Sequence, residues 1–143
     1  LTDLARPTCL ERVGTIAPFK PTGERILLAE DDPTTRRIVS FKLGRDGYVV
    51  ETTNNGEELL KQAIAHPPAL LILDLMMPIQ DGFSTLLKLK ENPSLAHIPV
   101  IVLSAKNDEQ EVVRCLHAGA ADYMVKPFSP EELTVRVGRL LKK

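Results

Sequence analysis

The sequence predicts an α/β fold: a doubly wound, five-stranded parallel sheet with five helices, and three observations carry it. From Arg25 onward short apolar runs alternate with amphipathic stretches, as βα units around a parallel sheet require. Each amphipathic stretch is opened or closed by a cap, a proline or a glycine at the position where a helix needs one. Four of the apolar runs end on a polar or charged group: Glu30-Asp31, Asp74, Ser104 and Lys126. Right-handed crossovers bring such ends to one edge of the sheet, where the crevice of a doubly wound fold lies.

The first strand is Ile26–Ala29, and a helix starts at Asp32-Pro33 with an acidic N-cap and proline at the first helical position. That helix carries Ile38, Val39, Phe41 and Leu43 and ends near Gly44. Tyr48–Thr52 is the second strand. Asn54-Asn55 opens a helix whose apolar face includes Leu59, Leu60 and Ile64. The third strand, Leu70–Asp74, runs into the loop Met76–Gly82 and a helix with Phe83, Leu86, Leu87 and Leu89, stopped by Asn92-Pro93. Pro99–Ser104 is the fourth strand. Asn107 caps the next helix, which uses Val112, Val113 and Leu116 and stops at Gly119. The fifth strand is Asp122–Val125, and Ser129-Pro130-Glu131-Glu132 begins the last helix as a capping box.

Residues 1–24 differ: Pro7, Gly14, Pro18, Pro21 and Gly23 interrupt any period, so they read as an N-terminal linker or extension. One short helical turn near Cys9–Val13 and an apolar cluster of Val13, Ile16 and Phe19 are the only local features there. Residues 25–143 form the domain proper, and the 143-residue length suits one full core rather than two. The start at Leu1 and the ending Leu140-Leu141-Lys142-Lys143 suggest a segment of a longer polypeptide.

Composition narrows the class. Hydrophobic residues make up 43% and charged residues 26%, the range of folded soluble domains. A net charge of −1 with no Lys/Arg run argues against direct nucleic-acid binding. Cys9 and Cys115 are too few for a disulfide framework or a zinc site and read as reduced thiols of a cytoplasmic protein. No apolar stretch approaches the ~20 residues of a membrane span, and no secretory signal opens the chain.

Each strand-end residue has an ordinary explanation when taken singly. Adjacent acids often form a solvated turn, a strand-end lysine is usually a solvated cap, and serine often caps a loop. Together they are more specific. A carboxylate such as Asp74 at the tip of a buried strand is poorly solvated and needs a cation or another partner. Glu30, Asp31 and Asp74 brought together repel, so they hold protons or bind a hard cation. Mg²⁺ suits one or two carboxylates with a main-chain carbonyl and waters; Met76 is the natural carbonyl donor, and Glu30 binds through a water. Asp32 is set aside as a helix cap because Pro33 follows it. Lys126 precedes Pro127, where the cis form accessible to prolyl bonds would turn the ammonium into the crevice toward Asp74. The ordered set describes a Mg²⁺-dependent, phosphoryl-accepting aspartate.

From Arg25 to about Leu141 the chain resembles the receiver domain of two-component response regulators, a flavodoxin-like fold. The segments that carry the resemblance are Leu27-Leu28-Ala29-Glu30-Asp31-Asp32, Leu73-Asp74-Leu75-Met76-Met77-Pro78 with Asp81-Gly82, Val102-Leu103-Ser104-Ala105, and Gly119-Ala120-Ala121-Asp122-Tyr123 through Lys126-Pro127-Phe128. The resemblance implies Asp74 as phosphoacceptor, with Glu30, Asp31, Asp74 and the Met76 carbonyl serving Mg²⁺. It implies that Ser104, Ala105 and Lys126 contact the phosphoryl group and that Ser104 and Tyr123 form the switch, Tyr123 turning inward on phosphorylation. It further implies a sensor histidine kinase or phosphotransfer protein as donor, and an output domain or separate effector controlled through the face of the fourth helix, fifth strand and fifth helix. Glu30 stands where the family more often has Asp, and Ala121-Asp122 where one branch has an acid doublet used in dimers. At most a weak homodimer through that face is therefore expected, with Asp122 and Arg136 as an inter-subunit pair.

Two other functions compete. A haloacid-dehalogenase-type phosphatase would need a general acid two residues after its nucleophile, and Met76 stands there. A phosphorylation-independent interaction module on the same fold would usually have lost the acceptor, the acid pair or the lysine, and all are present. A nucleotide-binding Rossmann domain is weaker still, because no glycine-rich turn follows the first strand.

Overall fold

The computed structural model describes residues 23–76 and 82–141. The expected linker 1–24, with its helical turn and its Val13, Ile16 and Phe19 cluster, lies outside the described residues apart from Gly23 and Glu24; so do most of the loop after Met76 and the final Lys142-Lys143. Among the described residues the elements alternate strictly: β1 (Arg25–Ala29), α1 (Pro33–Arg45), β2 (Val49–Thr53), α2 (Gly56–Ala65), β3 (Leu70–Asp74), α3 (Gly82–Glu91), β4 (Val100–Ser104), α4 (Glu109–His117), β5 (Asp122–Val125) and α5 (Pro130–Leu141). The strands form one parallel sheet in the order β2-β1-β3-β4-β5, so the winding reverses between β1 and β3. No helix among the described residues is long and apolar enough to cross a membrane.

Parallel strands covered on both sides read as continuous apolar runs, and β3 and β4 are buried along their whole length. Alternate residues feed two cores. Leu27, Leu71, Leu73 and Val102 pack with Leu59, Leu86, Leu89 and Cys115 under α2, α3 and α4. Ile26, Leu28, Ile72 and Ile101 pack with Val39, Leu43, Leu133 and Val137 under α1 and α5.

Caps hold the helices to these layers. The Asp32 carboxylate accepts from the Thr35 amide at 3.2 Å, and Asn55 accepts from the Glu58 amide at 2.8 Å, as the sequence suggests. Elsewhere the expectation shifts by a residue or a partner. Asp108, not Asn107, caps α4, its carboxylate accepting from the Gln110 amide at 3.1 Å. At α5 only half of the capping box forms. Ser129 Oγ accepts from the Glu132 amide at 3.3 Å, but the Glu132 carboxylate turns away to Arg136 at 2.7 Å. Strands β1, β2 and β4 each begin one residue from the expected start, at Arg25, Val49 and Val100.

The helical apolar faces are narrower than the sequence suggests. Ile38, Phe41, Ile64, Leu87, Val113 and Leu116 are exposed, and in α4 the buried position is Cys115. Two residues of α1 make the contrast measurable, since Leu43 is 0% and Phe41 63% exposed. Leu43→Ala is expected to cost about 2–5 kcal/mol and Phe41→Ala no more than about 0.5 kcal/mol. Urea unfolding of the two variants checks this; equal losses would place Phe41 in the core.

Candidate functional site

Register builds the site. Ala29 pairs with Leu73, so Glu30 and Asp74 leave adjacent strands side by side at the point where the winding reverses. Asp74 pairs with Leu103 and Ser104 with Val125, which carries the row on to Ser104 and Lys126. The Lys126 amide donates to the Ser104 carbonyl at 2.7 Å, and the Leu75 amide to the Leu103 carbonyl at 2.9 Å, extending the ladder past the tips. The Lys126–Pro127 peptide is cis, the isomer the sequence reading invoked.

At the centre Lys126 Nζ lies 2.8 Å from Glu30 Oε1 and 3.1 Å from Asp74 Oδ2. Both carboxylates are buried, at 0% and 1% exposure. The other oxygen of each is held by the main chain: Asp74 Oδ1 accepts from the Met76 amide at 3.0 Å, and Glu30 Oε2 from the Asp32 amide at 3.0 Å. The approach of Lys126 to Glu30 Oε1 is an ion pair without hydrogen-bond alignment, so this buried oxygen has no aligned donor. Asp31 is exposed at the rim, and one carboxylate oxygen from each of Glu30, Asp31 and Asp74 lies within 4.8 Å of the others.

The electrostatics follow from two buried carboxylates sharing one ammonium. Burial pushes the Glu30 carboxyl up from 4.5 to about 7, against the opposing pull of Lys126 and the Asp32 amide. Burial also disfavours charge on Lys126, but Glu30 and Asp74 outweigh it and hold the ammonium above its usual range. An oxygen-only donor set, an unaligned buried oxygen and carboxylates under-compensated by cations fit a hard divalent ion such as Mg²⁺.

The outer residues are tied in by the β4–α4 loop. Ser104 is buried, its hydroxyl accepting from the Lys106 amide at 3.0 Å, and Ala105 follows at the exposed rim. Tyr123 is already inside, 9% exposed, its hydroxyl donating to the Lys106 carbonyl at 3.0 Å. Arg136 pairs with Asp122 of its own chain at 2.6 Å, so the two residues named for an inter-subunit pair also pair within one molecule. Sequence reasoning missed Arg36, whose guanidinium donates to the Glu30 carbonyl at 3.0 Å and to Asn54 Oδ1 at 2.9 Å. Only its place one helical turn past the acid pair hints at that contact. It also missed the pairing of Lys126 with Glu30.

Without metal, a raised Glu30 pKa links folding to pH. The folded state holds the Glu30 proton to about 7 and an ordinary glutamate only to 4.5, so this stabilisation is complete below pH 4.5 and is lost as pH rises through 7. In chelator, the parent chain is expected to lose more stability than Glu30→Gln between about pH 5 and about pH 8. Parallel curves of unfolding free energy against pH would contradict this origin.

Comparison with known proteins identifies the family. Residues 26–138 match the family model described as the response regulator receiver domain. The chain is 41% identical over 123 residues to the sensor histidine kinase TmoS of Ectopseudomonas mendocina, covering 86% of this chain and 12% of that protein. It is 38% identical over 121 residues to the alkaline phosphatase synthesis transcriptional regulatory protein PhoP of Bacillus subtilis (strain 168), covering 85% of this chain and 50% of the other. The chain thus spans half or less of the length of these relatives. The receiver domain of a signal transduction histidine kinase from Syntrophus aciditrophicus superposes with a TM-score of 0.77 at 38% identity, covering 83% of this chain and 90% of that one. The chemotaxis response regulator CheY4 of Vibrio cholerae gives a TM-score of 0.79 at 29% identity, covering 84% and 100%. With a flavodoxin-like sheet, an acidic crevice at its switch point and a family match over most of its length, the chain belongs to the response regulator receiver domain family and is a receiver domain of two-component signalling.

Proposed function

We propose that Asp74 is the phosphoacceptor of this receiver. A carboxylate oxygen of Asp74 attacks the phosphorus of a phosphohistidine on a sensor kinase or phosphotransfer protein. The P–N bond breaks, and the imidazole leaves with its electron pair and is protonated from solvent. The observation that supports this most directly is the Asp74 carboxylate itself, buried at a strand tip and gripped on one oxygen by the Met76 amide and on the other by Lys126. Glu30, Asp31 and Asp74, with the Met76 carbonyl, would hold Mg²⁺, which when bound neutralises charge on the transferring group. Lys126 lies within reach of the new phosphoryl oxygens, and the Ser104 hydroxyl and Ala105 amide supply further donors. Water attack at phosphorus breaks the P–O bond of the acyl phosphate, releases inorganic phosphate and returns the carboxylate, so intrinsic phosphotransfer and autodephosphorylation are the only chemistry assigned to the chain.

Phosphorylation adds charge and acceptor oxygens at Asp74. Recruiting the Ser104 hydroxyl to them would withdraw it from the Lys106 amide, whose carbonyl holds Tyr123. The face of α4, β5 and α5 would then report the state of Asp74 to an output domain, a separate effector or a weakly bound second copy. Residues 25–143 are taken as the receiver unit and 1–24 as its connection, in a cytoplasmic setting.

Acetyl phosphate with Mg²⁺ is expected to add one hydroxylamine-labile phosphoryl group to the parent chain, read by intact mass, and none to Asp74→Asn. A labile phosphoryl group on the folded Asp74→Asn chain would refute the assignment. A parent chain that takes none would favour the phosphorylation-independent module.

A further inference from the structure

Gly82 opens α3 and is buried against the end of β3. Its amide donates to the Leu75 carbonyl at 3.2 Å. A Cβ built on it would stand 2.5 Å from Leu75 Cα and 2.7 Å from the Asp74 carbonyl oxygen, with Leu75 Cδ2 at 3.0 Å. The two nearest atoms are main chain and cannot swing aside. Leu75 is also anchored on its far side, where its amide is bonded to the Leu103 carbonyl at 2.9 Å, so retreat would strain the β3–β4 ladder. Gly82 is absent from the positive-φ glycines Gly23, Gly47 and Gly119, so its requirement is space rather than a left-handed backbone. Gly44 in α1 and Gly138 in α5 differ, having nothing within 4 Å of a built Cβ.

We propose that Gly82 is a positioning residue for the acceptor: lacking a side chain, it lets the start of α3 close onto the Asp74–Leu75 peptide and so aims the Asp74 carboxylate. The inference rests on the reading of Asp74 as phosphoacceptor. The Met76 amide that grips Asp74 Oδ1 and the Leu75 carbonyl that grips Gly82 belong to one short segment, so displacing one displaces the other. A methyl group at Gly82 forces this segment to open by about 0.9 Å, from 2.5 to 3.4 Å, before ordinary contact with Leu75 Cα is restored. In-line attack is sensitive to shifts of that size, a misplacement of about 1 Å costing on the order of a hundredfold in rate.

The test is the initial rate of phosphorylation by acetyl phosphate at saturating Mg²⁺, expressed per folded molecule. Gly82→Ala is expected to be slower by about tenfold or more, while Gly44→Ala and Gly138→Ala match the parent. Val137→Ala, a core truncation on the opposite side of the sheet, supplies a stability loss without displacement at Asp74 and is expected to keep the parent rate. A parent-like rate for folded Gly82→Ala, or an equal loss in Val137→Ala, overturns the positioning role and leaves the acceptor assignment standing. Phosphorylation of Asp74→Asn would instead overturn the acceptor assignment and the inference with it. Should Gly82→Ala not fold, nitrogen-15 spectra of the parent decide. On adding beryllofluoride with Mg²⁺, the Gly82 amide is expected to shift together with that of Met76 while that of Gly44, at the end of α1, stays fixed, and an unmoved Gly82 amide overturns the proposal.

Discussion

One ammonium stands between two buried carboxylates, and the rest of the crevice is arranged around that imbalance. Lys126 reaches Glu30 at 2.8 Å and Asp74 at 3.1 Å, with Asp31 adding a third carboxylate at the rim. Buried ion pairs gain little net stability, because desolvation of the charges offsets their attraction; removing one partner, however, costs about 3–5 kcal/mol. A shortage of positive charge is therefore poor design for a core and good design for a binding site. Burial pushes the Glu30 carboxyl up to about 7 and one of its oxygens has no aligned donor, a state that a hard cation relieves.

The fold meets the geometric demand with few devices. Parallel register delivers Glu30, Asp74, Ser104 and Lys126 to one edge in sequence, and main-chain amides two residues on hold the free carboxylate oxygens. The two cores leave the strands no freedom to slip, since a shift by one residue would turn each apolar side chain to the wrong layer. Variation is left to the loops, where Lys106 joins Ser104 on one side to Tyr123 on the other. The Ser104 hydroxyl is thus joined through Lys106 to the Tyr123 ring on β5.

Much of this was legible in the residues. Strand tips are readable because a charged group after an apolar run is unusual, and caps such as Asp32 and Asn55 are readable because their bonds are local. Helical burial is less legible: a 3.6-residue period marks a stripe but not its width, and Ile38, Phe41, Ile64 and Val113 lie exposed at its margins. Contacts between elements distant in sequence were the least legible. The bond from Arg36 to Asn54 and the pairing of Lys126 with Glu30 depend on how strands are ordered in space, and no spacing along the chain encodes them. The inward position of Tyr123 belongs with these, since it turns on a loop carbonyl rather than on the strand that carries the ring.

The claim that the crevice is an under-compensated cation site is tested most directly by calorimetric titration of Mg²⁺ into the parent chain and into Asp74→Asn. Saturable binding of one ion per parent chain, accompanied by a rise in the unfolding temperature and clearly weakened in Asp74→Asn, is the expected result. Equal affinity in the two chains, or no saturable binding in the parent, would contradict it.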